Sequence, residues 1–307
     1  MATIAYVFPG QGSQYVGMAR DFYDPAPGAR EMISSADALT GVPLSTICLV
    51  GPEDELRQTR NTQPAIFLHS MVAVRSLGAF PPAMVAGHSL GEYSALVAAE
   101  ALSFEDGLRL VRLRGELMQR AGEQQKGTMA AIVGLDPAAV EALCREASSA
   151  GIVQPANFNS PGQIVISGSV EGVRNAMEIS RRKGAKIAKE LVVSGAFHTP
   201  LMESAREGLK NALESTTIND ARIPVYANVT AEPVTRSSEI RELLVRQLTH
   251  PVRWEQTVRN MVRDGADRFI EIGPGKVLQG LIKRTDADVK TSGVDKYADV
   301  ETLETGI

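Results

Sequence analysis

The stretch Ala83-Met84-Val85-Ala86-Gly87-His88-Ser89-Leu90-Gly91-Glu92-Tyr93 decides the fold. Its first four residues are an apolar run of strand length, the next five turn on two glycines, and an alanine-rich helical segment follows to about Glu100. Strand, sharp turn and helix in that order fit a nucleophile elbow, in which small flanking residues let the chain reverse tightly and present the Ser89 hydroxyl above a sheet. The G-x-S-x-G pattern alone is weak in a chain with 27 glycines, so its setting carries the reading. The plain alternative is a glycine turn with no chemistry.

Working outward, Thr3 to Phe8 read as a buried strand that delivers the loop Pro9-Gly10-Gln11-Gly12. Thr62 to Leu77 carry apolar residues at helical spacing, with Pro64 expected in the first turn. From Gly127 to Val193 the rhythm changes. Strands over Thr128–Val133, Ile152–Asn157, Gln163–Ser167 and Lys186–Val193 alternate with helices from Asp136 to Ser148 and from Val170 to Lys183, which gives β-α-β-β-α-β, the ferredoxin-like pattern. Strands at Val225–Val229 and Arg268–Ile272 resume the first rhythm. The expectation is an α/β fold in which residues 1–124 and 195–307 form one parallel-sheet unit and residues 125–194 a small inserted one.

The 307 residues include 32 Lys plus Arg and 36 Asp plus Glu, a formal charge of -4, with 44% hydrophobic and 22% charged residues. That excludes a disordered chain or a fibre and removes the basic footprint of a nucleic-acid binder. Cys48 and Cys144 stand far apart, outside any metal or disulfide spacing, which fits a reducing compartment. The opening Met1-Ala2-Thr3-Ile4 has no basic leader and no apolar run is long enough to span a bilayer, so the chain reads as cytoplasmic, without a membrane partner. Tyr15 stands where a dinucleotide loop needs its third glycine, and no phosphate-loop or HExxH spacing occurs. No cofactor and no metal are expected.

A serine hydroxyl needs a base. Of the four histidines, His69 lies in an apolar helix, His250 precedes Pro251, and His88 adjoins Ser89 in a turn whose neighbours point apart. His198 remains, in the loop Gly195-Ala196-Phe197-His198. Arg114 falls within the apolar arc made by Leu110, Val111, Leu117, Met118 and Ala121 on a helical wheel. It is either a structural arginine paired with an internal carboxylate or a cation held for an anionic ligand. Arg181, Lys186 and Lys189 lie in a cluster of five positive charges, and Lys283 with Arg284 form a second; each is a solvated helix end or a docking face for phosphates or an acidic partner.

Taken together, Phe8-Pro9-Gly10-Gln11-Gly12-Ser13-Gln14, Asn61-Thr62-Gln63-Pro64-Ala65, the Ser89 elbow, Gly195-Ala196-Phe197-His198 and Glu271-Ile272-Gly273-Pro274-Gly275-Lys276 resemble the malonyl-CoA:acyl carrier protein transacylase family over nearly the whole chain. The resemblance implies an α/β-hydrolase-like core with a ferredoxin-like insertion. It implies Ser89 as the acylated nucleophile, His198 as its base, and the amides of Gln11 and Leu90 as the oxyanion hole. The main-chain carbonyl of Gln247 then orients the histidine, a role that needs no glutamine side chain, and Arg114 grips the free carboxylate of a malonyl group. Phe197 matches the malonyl-selective form of its motif, and Met118, Gln63 and Asn157 take substrate-binding positions. The implied reaction is a two-step exchange between malonyl-CoA and the pantetheine thiol of acyl carrier protein, in fatty-acid or polyketide synthesis. The rivals are an acyl hydrolase on the same scaffold and a non-catalytic carrier-binding subunit.

Overall fold

The computed structural model describes residues 3–26, 28–78 and 81–305, so Met1 and Ala2 of the opening stretch lie outside it. In chain order the elements are β1 (Ile4–Phe8), α1 (Ala29–Thr40), α2 (Leu44–Leu49), α3 (Glu53–Arg57), α4 (Thr59–Ser76), β2 (Met84–Gly87), α5 (Gly91–Ala98) and α6 (Phe104–Gln124). Then come β3 (Gly127–Val133), α7 (Pro137–Ala147), β4 (Val153–Ser160), β5 (Gln163–Ser169), α8 (Val170–Arg182) and β6 (Ile187–Glu190). The chain closes with α9 (Glu203–Ser215), β7 (Val225–Tyr226), β8 (Pro233–Val234), α10 (Ser237–Gln247), α11 (Trp254–Arg263), β9 (Arg268–Ile272), α12 (Val277–Thr285), β10 (Lys290–Val294) and α13 (Tyr297–Thr305).

Six strands form one sheet in the order β10-β9-β1-β2-β7-β8, parallel except for the antiparallel β7–β8 pair at its edge. The short apolar runs seen in the sequence follow from burial on both faces. Alternation sends Tyr6 and Phe8 of β1 into one core with Val85 and Ile270, while Ala5 and Val7 join Met84, Phe269 and Trp254 on the other side. Four antiparallel strands form a second sheet in the order β4-β5-β3-β6, the arrangement that the β-α-β-β-α-β succession requires. One face carries α7 and α8 over Ala130, Ile132, Ile164 and Ile166. From the other, Met129 and Val165 pack into the core of the large sheet. The α/β-hydrolase-like core with its ferredoxin-like small sheet is thus the architecture of the chain. No helix among the described residues is long and apolar enough to cross a membrane.

Three expectations need correction. The helix around Pro64 begins at Thr59, so Pro64 lies inside it rather than in its first turn. A proline cannot donate to the carbonyl four residues back; that group, Arg60 O, accepts instead from Arg112 Nη1 at 2.8 Å. The strand at Val225 stops at Tyr226, because the Asn228 amide leaves the sheet to donate to Glu92 Oε2 at 3.1 Å. The last strand of the small sheet ends at Glu190, and Leu191 and Val193 turn toward a cleft.

Candidate active site

Ser89 sits between β2 and α5 with φ 52°, a left-handed conformation that residues with a side chain seldom adopt. The glycines around it are required by close approach: a Cβ on Gly87 would lie 1.9 Å from the Gly91 carbonyl carbon, and one on Gly91 2.1 Å from Phe8 O. Asn228 ties the turn from behind. Its Nδ2 donates to Gly87 O at 2.6 Å and its Oδ1 accepts from the Ser89 amide at 2.6 Å. The Leu90 amide opens α5, where backbone donors lack helical partners, and it borders the same cleft as Gln11. Gln11 is held through its side chain, Nε2 donating to Thr59 Oγ1 at 3.2 Å.

His198 Nε2 lies 2.9 Å from Ser89 Oγ, and Nδ1 lies 2.8 Å from the main-chain oxygen of Gln247. A carbonyl only accepts, so Nδ1 carries the proton and the Nε2 lone pair faces the serine. His198 also has a left-handed backbone, φ 59°, and Gln154 Nε2 on β4 pins its carbonyl at 2.9 Å. Burial, reinforced by the Arg114 cation, pushes the imidazole down to about 3, so it is neutral at physiological pH. The other histidines are engaged elsewhere. His88 Nε2 meets Asn159 Oδ1 at 2.9 Å, His250 Nδ1 meets Arg246 O at 2.8 Å, and His69 is wholly buried in α4.

Arg114 is fully buried on α6. Nη1 donates to Gln63 Oε1 at 2.7 Å, and Nη2 to Gln247 Oε1 at 2.8 Å and to Ser89 Oγ at 3.1 Å. The guanidinium lies 5.7 Å from the Tyr93 ring centroid, while Nε is buried without a partner. Two amides and a hydroxyl therefore hold this cation, with no carboxylate directly on it. The anion of the site is Glu92, 3% exposed, whose Oε2 accepts from Gln247 Nε2 at 2.8 Å. One amide side chain thus stands between the buried cation and the buried carboxylate, and its Nε2 also donates to Ser89 O at 2.9 Å.

These groups face a cleft of about 240 Å³ between the two sheets. Met118, Gln63, Phe197 and Asn157 all line it, so the structure brings together Ser89, His198, Arg114, Gln11, Leu90 and every substrate position implied above, while Gln247, the histidine-orienting position, lies behind them. The basic residues are not brought into it. Lys186 and Lys189 are exposed on and beside β6, and Arg181 Nη2 donates to Ala188 O at 2.9 Å. Lys283 Nζ caps the carbonyls of Ala287 and Val289, and Arg284 bonds Gln163 Oε1, whose residue does line the cleft. The sequence reading missed Glu92, Asn228 and the side chain of Gln247. The available signal was a carboxylate at the start of the apolar helix Gly91–Ala98 and an asparagine within the apolar run after Val225.

A strained serine on a strand-to-helix elbow, touched by a neutral histidine and bordered by open amides, defines the class: an α/β serine enzyme working by acyl transfer. Within that class the chain belongs to the acyl transferase domain family, which its residues 5–303 match. It is 44% identical over 310 residues to the malonyl CoA-acyl carrier protein transacylase of Bacillus subtilis, covering 100% of this chain and 97% of that protein. The crystal structure of an acyl-carrier-protein S-malonyltransferase from Burkholderia pseudomallei superposes with TM-score 0.95 at 42% identity, over 99% of this chain and 100% of that one. A malonyl-transacylase in complex with its type II polyketide synthase acyl-carrier protein gives TM-score 0.95 at 40% identity, with both chains fully covered.

Proposed function

We infer that the chain is a malonyl-CoA:acyl carrier protein transacylase, with malonyl-CoA and the carrier as its two partners. The observation that carries this reading is Arg114: a wholly buried guanidinium with no carboxylate on it, 3.1 Å from the hydroxyl that would be acylated. A half-thioester of a dicarboxylic acid places its free carboxylate a short fixed distance beyond the reacting carbonyl, and this fork accepts it in two-point geometry.

His198 Nε2 takes the Ser89 proton as Oγ attacks the thioester carbonyl. The oxyanion so formed is received by the amides of Gln11 and Leu90. His198 then returns the proton to the departing CoA thiol, and the carrier's pantetheine thiol enters by the reverse sequence. Gln247 O, accepting from Nδ1, supports the imidazolium in both half-reactions. Arg114 links recognition to activation. Its charge is one of the causes that hold His198 down, so an arriving carboxylate cancels an unfavourable field on the base as it fills the clamp. A neutral acyl group does neither.

Phe197, 6% exposed, and Met118 close the acyl end of the cleft; Gln63 braces Arg114, and Asn157 lies on the small sheet beside the path to solvent. The cleft is then the seam between a large unit of residues 1–124 and 195–307 and the inserted unit 125–194. Lys186, Lys189 and Arg181, together with Lys283 and Arg284, are the docking residues for CoA phosphates or the acidic carrier on this reading. The test is intact and peptide mass spectrometry after brief exposure to malonyl-CoA. A malonyl adduct on Ser89 that disappears on adding holo-carrier is expected; an unmodified Ser89 during turnover overturns the reading.

A further inference from the structure

Glu92 is a buried carboxylate that the exchange reaction does not use. It lies on α5, and its Oε2 accepts from Gln247 Nε2 at 2.8 Å and from the Asn228 amide at 3.1 Å. Gln247 Oε1 in turn accepts from Arg114 Nη2 at 2.8 Å. A carboxylate accepts and a guanidinium donates, so the amide between them has one orientation and joins the two charges into a single buried chain.

We propose that Glu92 is a positioning residue for acyl selection: it is the resident counter-anion of Arg114, coupled through the Gln247 amide, and it yields that role by taking a proton from solvent when a substrate carboxylate seats on the guanidinium. The proposal rests on the malonyl reading of the site. With Glu92 ionised and no substrate bound, Arg114 and Glu92 sum to zero. A second carboxylate would leave a net negative charge in a water-poor site, which is costly. One proton on Glu92 Oε1 restores neutrality, and Oε2 keeps both of its donors.

The neighbours do not share this titration. Burial pushes Glu92 up to about 7, opposed by Gln247, Asn228 and the Arg114 cation. His198 is down to about 3 and stays neutral above pH 6, burial lowers His88 as well, and burial raises Tyr93 out of range. Glu271, also near 7, bonds the amides of Leu278 and Gln279 at the start of α12 and would affect every acyl-CoA alike.

Proton and carboxylate therefore help each other to bind, and linkage makes the effect reciprocal. Loading of malonyl is favoured below the Glu92 titration and weakens as pH rises through it. The experiment measures kcat/KM for malonyl-CoA and acetyl-CoA from pH 6 to 8.5, in the wild type and in Glu92→Gln, which keeps an oxygen for both donors and loses the charge. The malonyl-to-acetyl ratio should fall by at least ~5-fold across this range in the wild type and stay flat in the variant. Parallel profiles for the two substrates in the wild type, or an unchanged slope in Glu92→Gln, overturn the proposal. The wild-type comparison stands even if the variant does not fold. Malonylation of Ser89 in the same samples, read by mass, separates the two levels: parallel profiles with Ser89 labelled overturn the role of Glu92 alone, whereas an unlabelled Ser89 overturns the function.

Discussion

Replacing Arg114 by Ala tests the clamp directly. The change removes three hydrogen bonds, to Gln63 Oε1, Gln247 Oε1 and Ser89 Oγ, and takes the only cation from the Glu92–Gln247 chain. For a malonyl group it leaves a carboxylate buried without its partner, a loss of about 2–5 kcal/mol, or roughly 30- to 5,000-fold in kcat/KM. An acetyl group never used the fork. Its transfer also gains from the absence of a charge that pushes His198 down, so it should hold within about threefold or rise. Transfer to holo-carrier from each acyl-CoA, with denaturant unfolding to confirm that the variant is folded, reads both numbers. Equal losses for malonyl and acetyl would refute the reasoning, because they would place Arg114 in the support of Ser89 rather than in acyl recognition.

Charge reversal at Lys186 and Lys189 should raise KM for CoA substrate or carrier while the Ser89 adduct still forms at saturation; unchanged kinetics for both removes the docking face. His69, wholly buried with Nε2 3.6 Å from Asp295 Oδ1, is pushed down to about 3 by burial, which outweighs the opposing pull of Asp295. The unfolded chain therefore binds the extra proton first, and stability is lost as pH falls below 6.5, at up to about 1.4 kcal/mol per pH unit for this residue. His69→Leu should flatten the fall of Tm between pH 6.5 and 4.5, and an unaltered slope would exclude His69 as its source.

How much of this was legible depended on whether the signal was local. The strand Arg268–Ile272 and both helices of the small sheet were readable because each carries its own punctuation: Asp136 and Ser169 accept from the amides of Ala139 and Gly172 as N-caps, and Gly184 follows α8 with φ 89°. Ser89 was readable because its strain has to be prepared by adjacent glycines. The helix start at Thr59 was hidden, since the donor that replaces the missing Pro64 amide comes from Arg112, far along the chain. Asn228 and the side chain of Gln247 were hidden for the same reason. Each acts across more than a hundred residues, on Ser89 from the far side of the inserted sheet, and no periodicity records such a contact. Arg114 lay between these cases: the wheel gave its burial, but only the structure distinguishes a guanidinium on two amides from one on a carboxylate.

The same charges bear on why the acyl group passes to a thiol rather than to water. On the proposed reading, once malonyl is on Ser89 its carboxylate still occupies the Arg114 fork, so the field that suppressed His198 stays cancelled and the base is as ready for water as for pantetheine. Electrostatics therefore cannot discriminate between the two acceptors in the second half-reaction. Discrimination falls to the walls. Met129, Val165, Leu191 and Val193 line the cleft on its small-sheet side, and a water entering along them leaves its hydrogen bonds behind, whereas a pantetheine arm covers that apolar surface as it delivers its sulfur. On that reading, selection of the acyl group and selection of the acceptor reside in different parts of one cleft: the first in the buried charges on α5, α6 and α10, the second in the hydrophobic face that the small sheet turns toward them.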